Sequence, residues 1–232
     1  MISIVMPAHN EEGYLEPAVK SVVAGMTGRG RAFEVIVVQN GSFDATREEA
    51  ARLEAAYSQV TAVDLAEADY GRALREGFLR ARGDIVVNFD VDLVDLDFLD
   101  RALAMMNGND AAVVVGSKRN PGSEDRRGPA RRLVTTTFSL ILRYGFGLRT
   151  SDTHGLKALR RAPLEPLARQ CRFGQDIFDT ELIIRAERAG LVVGEIPVAV
   201  SDTRPPRTPI ARRIPRTVTG LGRLWMVLRR GG

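Results

Sequence analysis

Four short runs of apolar, mostly β-branched residues punctuate the first half of the chain: Ile4-Val5-Met6, Val35-Ile36-Val37-Val38, Ile85-Val86-Val87 and Val113-Val114-Val115. Between and after them, apolar positions recur at helical spacing around 15–26, 44–57, 71–82 and 97–107. Runs that are apolar at every position, rather than at alternate ones, suit strands covered on both faces. Gly, Asn or Asp closes each run promptly, which makes the runs too short for buried helices. The alternation predicts an α/β fold with a parallel sheet wrapped by helices. A polar Gly/Pro loop over 119–129 breaks the pattern. Beyond it a helix is predicted near 131–144, a strand at 155–159, a helix near 177–189 and a strand at 191–193. There is no internal repeat and no low-complexity tract.

At 232 residues and 44% apolar content the chain can bury one substantial core, and length alone leaves one or two domains open. One domain with a decorated C-terminal part fits best. No apolar stretch reaches 18 residues and no charged leader precedes the first strand, so the expectation is a cytoplasmic protein that spans nothing. A single cysteine, Cys171, excludes an intrachain disulfide, and with only His9 and His154 beside it a Cys/His zinc cage is excluded too. Any metal would be held by oxygen. The net charge of +4 matters less than its distribution: no acid follows Asp202, while eight arginines do. Aromatic content of 6% is too low for the aromatic and basic interleaving of a nucleic-acid binder, and neither a dinucleotide fingerprint nor a P-loop occurs.

Candidate chemistry gathers where strands end. The third run continues through Asn88-Phe89 into Asp90-Val91-Asp92, and in an extended segment residues two apart point the same way. Two carboxylates at the carboxyl edge of a parallel sheet suit a hard cation that bridges substrate phosphates; an ordinary acidic loop end is the alternative. Pro7 and Glu11 are placed on the loop after the first strand, where Glu11 and Glu12 could equally favour a helix start. Asn40-Gly41 ends the second strand, and Asp44 is a candidate helix N-cap. Two basic clusters, Lys118, Arg119, Arg126, Arg127, Arg131 and Arg132, then Arg204 and Arg207, present the fork geometry that matches phosphate, against the alternative of a solvated surface. Asp152, Asp176, Asp179 and Glu181 are candidates for a catalytic base, although Glu181 and Arg185 are spaced to pair on a helix.

In order along the chain these segments resemble family 2 glycosyltransferases. Pro7-Ala8-His9-Asn10-Glu11 is similar to the family's Pro-x-Tyr-Asn-Glu opening, and Val37-Val38-Gln39-Asn40-Gly41-Ser42-Phe43-Asp44-Ala45-Thr46 to its Val-Val-Asp-Asp-Gly-Ser-x-Asp-x-Thr. Gly71, Ala73, Gly77, Ala81, Gly83 and Asp84 match the helix leading to the metal strand, and Asp90 and Asp92 the metal motif. Ser151-Asp152, Gly155, Phe178–Leu182, Arg185-Ala186 and Gly194–Val198 look like the dolichol-phosphate mannosyl- and glucosyltransferase branch. Four departures stand out: His9 for Tyr, Gln39-Asn40 for the acidic pair, Val94 where relatives often place Gln, and Pro205-Pro206-Arg207-Thr208 for a Gly-x-Ser-Lys loop.

The resemblance implies a GT-A, Rossmann-like, mostly parallel sheet flanked by helices, with a nucleotide-sugar half over about 1–117, an acceptor half over about 118–203 and a basic segment with an amphipathic helix over 204–232. It implies an inverting transfer of a hexose from a nucleotide sugar, with Mg²⁺ or Mn²⁺ on Asp90 and Asp92. The acceptor implied is a polyprenyl phosphate, with a soluble phosphorylated metabolite or glycan hydroxyl as the alternative; a non-catalytic nucleic-acid module is the remote third reading. Pro7, His9, Glu11, Val38, Asn40, Gly71, Asp90, Val91, Asp92, Lys118, Arg204 and Arg207 are the donor-binding positions implied, and Asp90, Asp92, Arg131, Asp179 and Glu181 the catalytic ones. Ile214, Val218, Leu221, Trp225 and Leu228, spaced at four and three, predict one apolar stripe on a C-terminal helix otherwise rich in arginine. That stripe either packs on the domain or lies on an anionic membrane surface.

Overall fold

The computed structural model describes residues 1–120, 122–125, 128–175, 177–200 and 210–230. The chain begins with β1 (Ile2–Ala8), α1 (Leu15–Gly28), β2 (Phe33–Asn40), α2 (Thr46–Ala56), β3 (Val60–Leu65), α3 (Tyr70–Arg80) and β4 (Ile85–Asn88). Next come α4 (Leu96–Asn109), β5 (Val113–Ser117), β6 (Glu124–Asp125), α5 (Pro129–Phe146), β7 (Lys157–Arg160) and α6 (Arg161–Gln170). It closes with α7 (Phe178–Arg188), β8 (Val193–Pro197), β9 (Ala199–Val200) and α8 (Ile210–Arg230). Seven strands form one sheet in the order β3-β2-β1-β4-β7-β5-β8, and β6 pairs with β9 apart from it.

The apolar runs behave as strands covered on both faces. Ile4, Met6, Val35, Val37 and Val87 point to a core layer shared with Leu15, Val22 and Met26 of α1 and Phe98 and Leu99 of α4. Their neighbours Val5, Ile36, Val38 and Val86 point to the opposite layer, with Leu74 and Phe78 of α3, Leu164 of α6, Ile183 of α7 and Leu224 of α8. Successive strand residues thus feed two cores, which is why no polar position interrupts them.

The structure corrects the predicted elements in five places. β7 starts at Lys157 rather than 155, and it runs antiparallel to both β4 and β5, which gives the mostly parallel sheet that the family resemblance implied. β3, not expected, is an edge strand with buried positions at Val60 and Val63 only, so it carries no apolar run. The helix α6 escaped notice because Pro163 and Pro166 punctuate it; Pro166 lies inside it, while Leu164 and Ala168, four apart, face the core. β8 lies at 193–197 instead of 191–193, in register with β5. Pro7, assigned to the first loop, lies within β1 paired opposite Val38, beyond the point where the β4 register stops at Val5.

Candidate active site

β1, β2, β3 and β4 are parallel, so their following loops share one edge of the sheet. The loop after β4 does not continue extended, as the sequence suggested, but turns: the Leu93 amide donates to the Asp90 carbonyl at 2.9 Å. Phe89 and Val91 are buried, Asp90 is half-buried and Asp92 is exposed. Burial pushes the Asp90 carboxyl above its ordinary range, a hydrogen bond from Tyr70 pulls it back, and the charge of Asp92 adds to the rise. The two carboxylates therefore sense one another although the backbone between them turns.

Around Asp90 the polar groups form a small network, in which Asn88 Oδ1 is buried without a hydrogen-bond partner. The Tyr70 hydroxyl donates to Asp90 Oδ1 at 2.8 Å, and the Asn88 amide points at the Tyr70 oxygen at 3.5 Å. Burial, with the charges of Asp90 and Asp179, pushes the Tyr70 hydroxyl far above its usual range, so it remains a donor. Lys157, opposite Asn88 in the ladder and 2% exposed, gives its ammonium to Asp179 Oδ2 at 2.8 Å, Gly155 O at 2.7 Å and Thr153 O at 3.3 Å. Those contacts use all three of its donors. Asp90 and Asp92 are two carboxylates on this turn, the first half-buried and the second exposed. Among the described residues no three His, Cys, Asp or Glu side chains gather as a metal site, so water or substrate oxygens would complete the coordination. Burial drives the Cys171 thiol up to about 12, which removes it as a nucleophile.

The loops of β1 and β2 are tied into one platform beside this turn. His9 Nδ1 donates to the Asn40 carbonyl at 2.7 Å, which leaves Nε2 to accept from the Asn10 amide at 3.1 Å. Asn40 donates to Ala8 O at 3.0 Å and accepts from the Asp69 amide at 3.1 Å. Gln39 donates to Asp64 and accepts from the Ser42 amide at 3.0 Å.

A family profile described as glycosyl transferase family 2 matches residues 3–167. The chain belongs to that family. Among its relatives, glycosyltransferase AglD of Haloferax volcanii is 31% identical over 202 residues, 85% of this chain and 32% of that protein. Dolichyl-phosphate β-glucosyltransferase ALG5A of Trichomonas vaginalis is 25% identical over 210 residues, 85% of this chain and 64% of its own length. The chain thus spans about a third of the first relative and under two thirds of the second. A solved structure of glucosyl-3-phosphoglycerate synthase from Mycobacterium tuberculosis, in complex with Mn²⁺, UDP-glucose and phosphoglyceric acid, has the same fold. Its TM-score is 0.66 at 23% identity, covering 92% of this chain and 74% of that one. The fold is GT-A.

Against this family's pattern, the structure places the sequence-derived positions differently. Asp90, Asp92, His9, Glu11 and Asn40 lie together on the carboxyl edge, with Glu11 anchored by its amide to Thr46 Oγ1 at 2.7 Å. Lys118 follows β5 on the same side of the sheet; its ammonium is 3.7 Å from Asp152 Oδ2 and rests over Gly155, whose φ of +97° a side chain would strain. Val38 and Val91 are buried in the core, and Val38 is paired on both sides within the sheet, opposite Pro7 and Val63. Gly71 meets protein rather than open space: a Cβ there would lie 2.5 Å from Gln175 O. Arg204, Arg207, Arg126, Arg127 and Asp176 fall outside the described residues, as does the side chain of Arg131, which stands near the start of α5.

Of the base candidates among the described residues, Asp179 and Glu181 are held in internal pairs, whereas Asp152 Oδ2 is buried without a hydrogen-bond partner. Asp179 is the buried partner of Lys157. Glu181 is 0% exposed; Oε2 accepts from the Arg172 and Phe173 amides at 2.9 and 3.1 Å, and Oε1 pairs with Arg185 at 2.8 Å. The spacing of four that allowed a Glu181–Arg185 pair is realised as one. Asp152 Oδ1 accepts from the His154 amide at 3.0 Å. Asp95, three residues beyond Asp92, caps α4 by accepting from the Phe98 amide at 2.7 Å. Asp44 lies one residue outside the expected cap position, which Ala45 holds, yet it accepts from the Thr46 amide at 3.1 Å. Tyr70, Asn88, Asp69 and Lys157 were missed by sequence reasoning. For Tyr70 a signal was present, since it immediately precedes the flagged Gly71.

Proposed function

We propose that the protein transfers a hexose, with inversion, from a nucleoside-diphosphate sugar to a polyprenyl phosphate, using Mg²⁺ or Mn²⁺ at Asp90 and Asp92. The observation that carries this reading is the Asp90–Leu93 turn at the carboxyl edge of a family 2 sheet. Its two carboxylates fit the donor set of a hard cation that keeps waters and takes substrate phosphates. Burial and the charge of Asp92 disfavour the ionised form of Asp90, and a divalent ion bound there would favour it. When bound, such an ion neutralises charge developing on the leaving diphosphate. His9 and Asn40 form the platform for the base, with Glu11 at its rim, and Lys118, steadied by Asp152, faces the phosphates.

The acceptor follows from the chemistry of the engaged carboxylates. A phosphate monoester has its second pKa at about 6 and is already largely ionised at neutral pH. It attacks without help from a strong base, whereas a hydroxyl acceptor needs one. Asp179 and Glu181 are both held in internal pairs, which suits the phosphate. The named function of ALG5A, a dolichyl-phosphate glucosyltransferase, agrees.

A lipid acceptor also accounts for the surface of α5 and α8. Leu133, Leu140 and Tyr144 are exposed on the side of α5 opposite the buried Leu142. On α8, which packs beside α5, Val218, Trp225 and Met226 are exposed. Arg229 lies 3.7 Å over the Trp225 ring, and Arg143, Arg223 and Arg229 are exposed nearby on the same helices. Apolar flanks with arginines beside them suit an anionic headgroup layer. No helix among the described residues is long and apolar enough to cross a membrane. The proposal is tested by assaying transfer with and without EDTA in the wild type and in Asp92→Ala. Turnover is expected to vanish in both cases while the thermal unfolding midpoint holds, because Asp92 is exposed. Transfer insensitive to both would remove the metal.

A further inference from the structure

We propose that Tyr70 is a positioning residue for Asp90, fixing one carboxylate oxygen so that the other is presented to a divalent cation. The inference rests on the metal reading above, and the observations behind it are geometric. Tyr70 opens α3, with Asp69 as the N-cap accepting from the Arg72 amide at 2.8 Å. Asp69 also accepts from the Gln175 amide, and Gly71 lies against the Gly174–Gln175 backbone so closely that no side chain fits. The start of the helix is therefore clamped between the β2 loop, through Asn40 and Asp69, and the 172–175 loop, through Gly71. That loop is itself held by Glu181.

From this clamped position the Tyr70 ring packs at the margin of the core and its hydroxyl reaches Asp90 Oδ1 at 2.8 Å. The hydrogen bond has a direction. The Asn88 amide can only donate toward the Tyr70 oxygen, so the hydroxyl proton is turned to Asp90. A carboxylate that must share a cation with Asp92 gains a fixed rotamer from such a donor. The alternative role for Tyr70 is a stopper that occupies the carboxylate until the cation displaces it, and it predicts the opposite effect on affinity.

Tyr70→Phe separates the two, because it removes one oxygen and keeps the packing. Mn²⁺ binding is measured by electron paramagnetic resonance on the full chain, with UDP and with GDP, for the wild type, Tyr70→Phe and Asp92→Ala. Nucleotide affinity in EDTA and the unfolding midpoint are followed alongside. Loss of a hydrogen bond to a ligating group weakens metal binding by about 10- to 100-fold. Tyr70→Phe is expected to raise the Mn²⁺ dissociation constant by about tenfold, with metal-free nucleotide affinity unchanged and the midpoint lowered but the protein folded at the assay temperature, and Asp92→Ala to lose the ion. Wild-type binding that Tyr70→Phe matches or exceeds overturns the positioning role alone. A wild type that binds no Mn²⁺ with either nucleotide overturns the metal reading and this inference together.

Discussion

Asn40 stands where the family pattern carries an acid, and its two hydrogen bonds explain why an amide serves there. Its amide donates to Ala8 O at the end of β1 and its carbonyl accepts from the Asp69 amide ahead of α3. An ionised aspartate could keep the second bond but would set its other oxygen against the Ala8 carbonyl. Asn40→Asp should therefore cost about 1–3 kcal/mol of stability, the penalty for leaving a buried acceptor unsatisfied. Urea unfolding reads this directly, and an unshifted midpoint would make the amide incidental. The chemistry-bearing residues at the strand ends were legible in sequence because their types and order are local. Their partners were not. Asp69 meets Gln175 across 106 positions, and Lys157 meets Asp179 only because β7 lies antiparallel in the sheet and α7 packs on it.

At the scale of elements, the contact between α3 and the 172–175 loop sets the sign of one substitution. In an exposed helix interior Gly→Ala stabilises by up to about 1 kcal/mol. At Gly71 the new methyl would sit 2.5 Å from Gln175 O and 2.7 Å from the Gly174 carbonyl carbon, both backbone atoms. Gly71→Ala is accordingly expected to destabilise, by about 1–3 kcal/mol as for overpacking; a gain in the calorimetric midpoint would deny the clamp. The C-terminal helix shows where periodicity misleads. The sequence drew one stripe through Val218, Leu221, Trp225 and Leu228, but Leu221, Leu224 and Leu228 form the buried line while Val218 and Trp225 stay exposed on its flank. Ile214 lies in the stretch whose side chains are not described. An apolar arc wider than the buried contact leaves a remainder, and spacing alone does not say which edge packs. Packing on the domain and facing a membrane are therefore compatible on one helix. Each arginine near an anionic surface adds about 1 kcal/mol, so the chain should co-sediment with anionic but not neutral vesicles at low salt. Replacing Trp225 and Met226 by serine should reduce that binding; equal, negligible sedimentation with both vesicle types would assign this flank no lipid role.

Across the whole molecule, the strand order places four parallel loops on one edge and brings β7 between β4 and β5, so that Lys157 and Asp179 stand behind the Asp90 turn. β1, β2, β4 and β5 were legible because doubly covered strands are apolar throughout; the parallel edge strand β3 was not, and although a strand was expected at 155–159, nothing in the mixed polarity of Lys157–Arg160 marked its antiparallel direction. The arrangement makes a donor platform, a paired carboxylate and an arginine-flanked apolar surface parts of one reading, transfer from a nucleotide sugar to a lipid phosphate. The most direct measurement is mass spectrometry of products formed by the full chain with GDP-mannose or UDP-glucose and Mn²⁺, offered a short-chain polyprenyl phosphate and phosphoglyceric acid in competition. The account predicts a hexosyl polyprenyl phosphate as the main product, abolished by EDTA. Hexose appearing only on the soluble acceptor, or on neither with any donor, would contradict it.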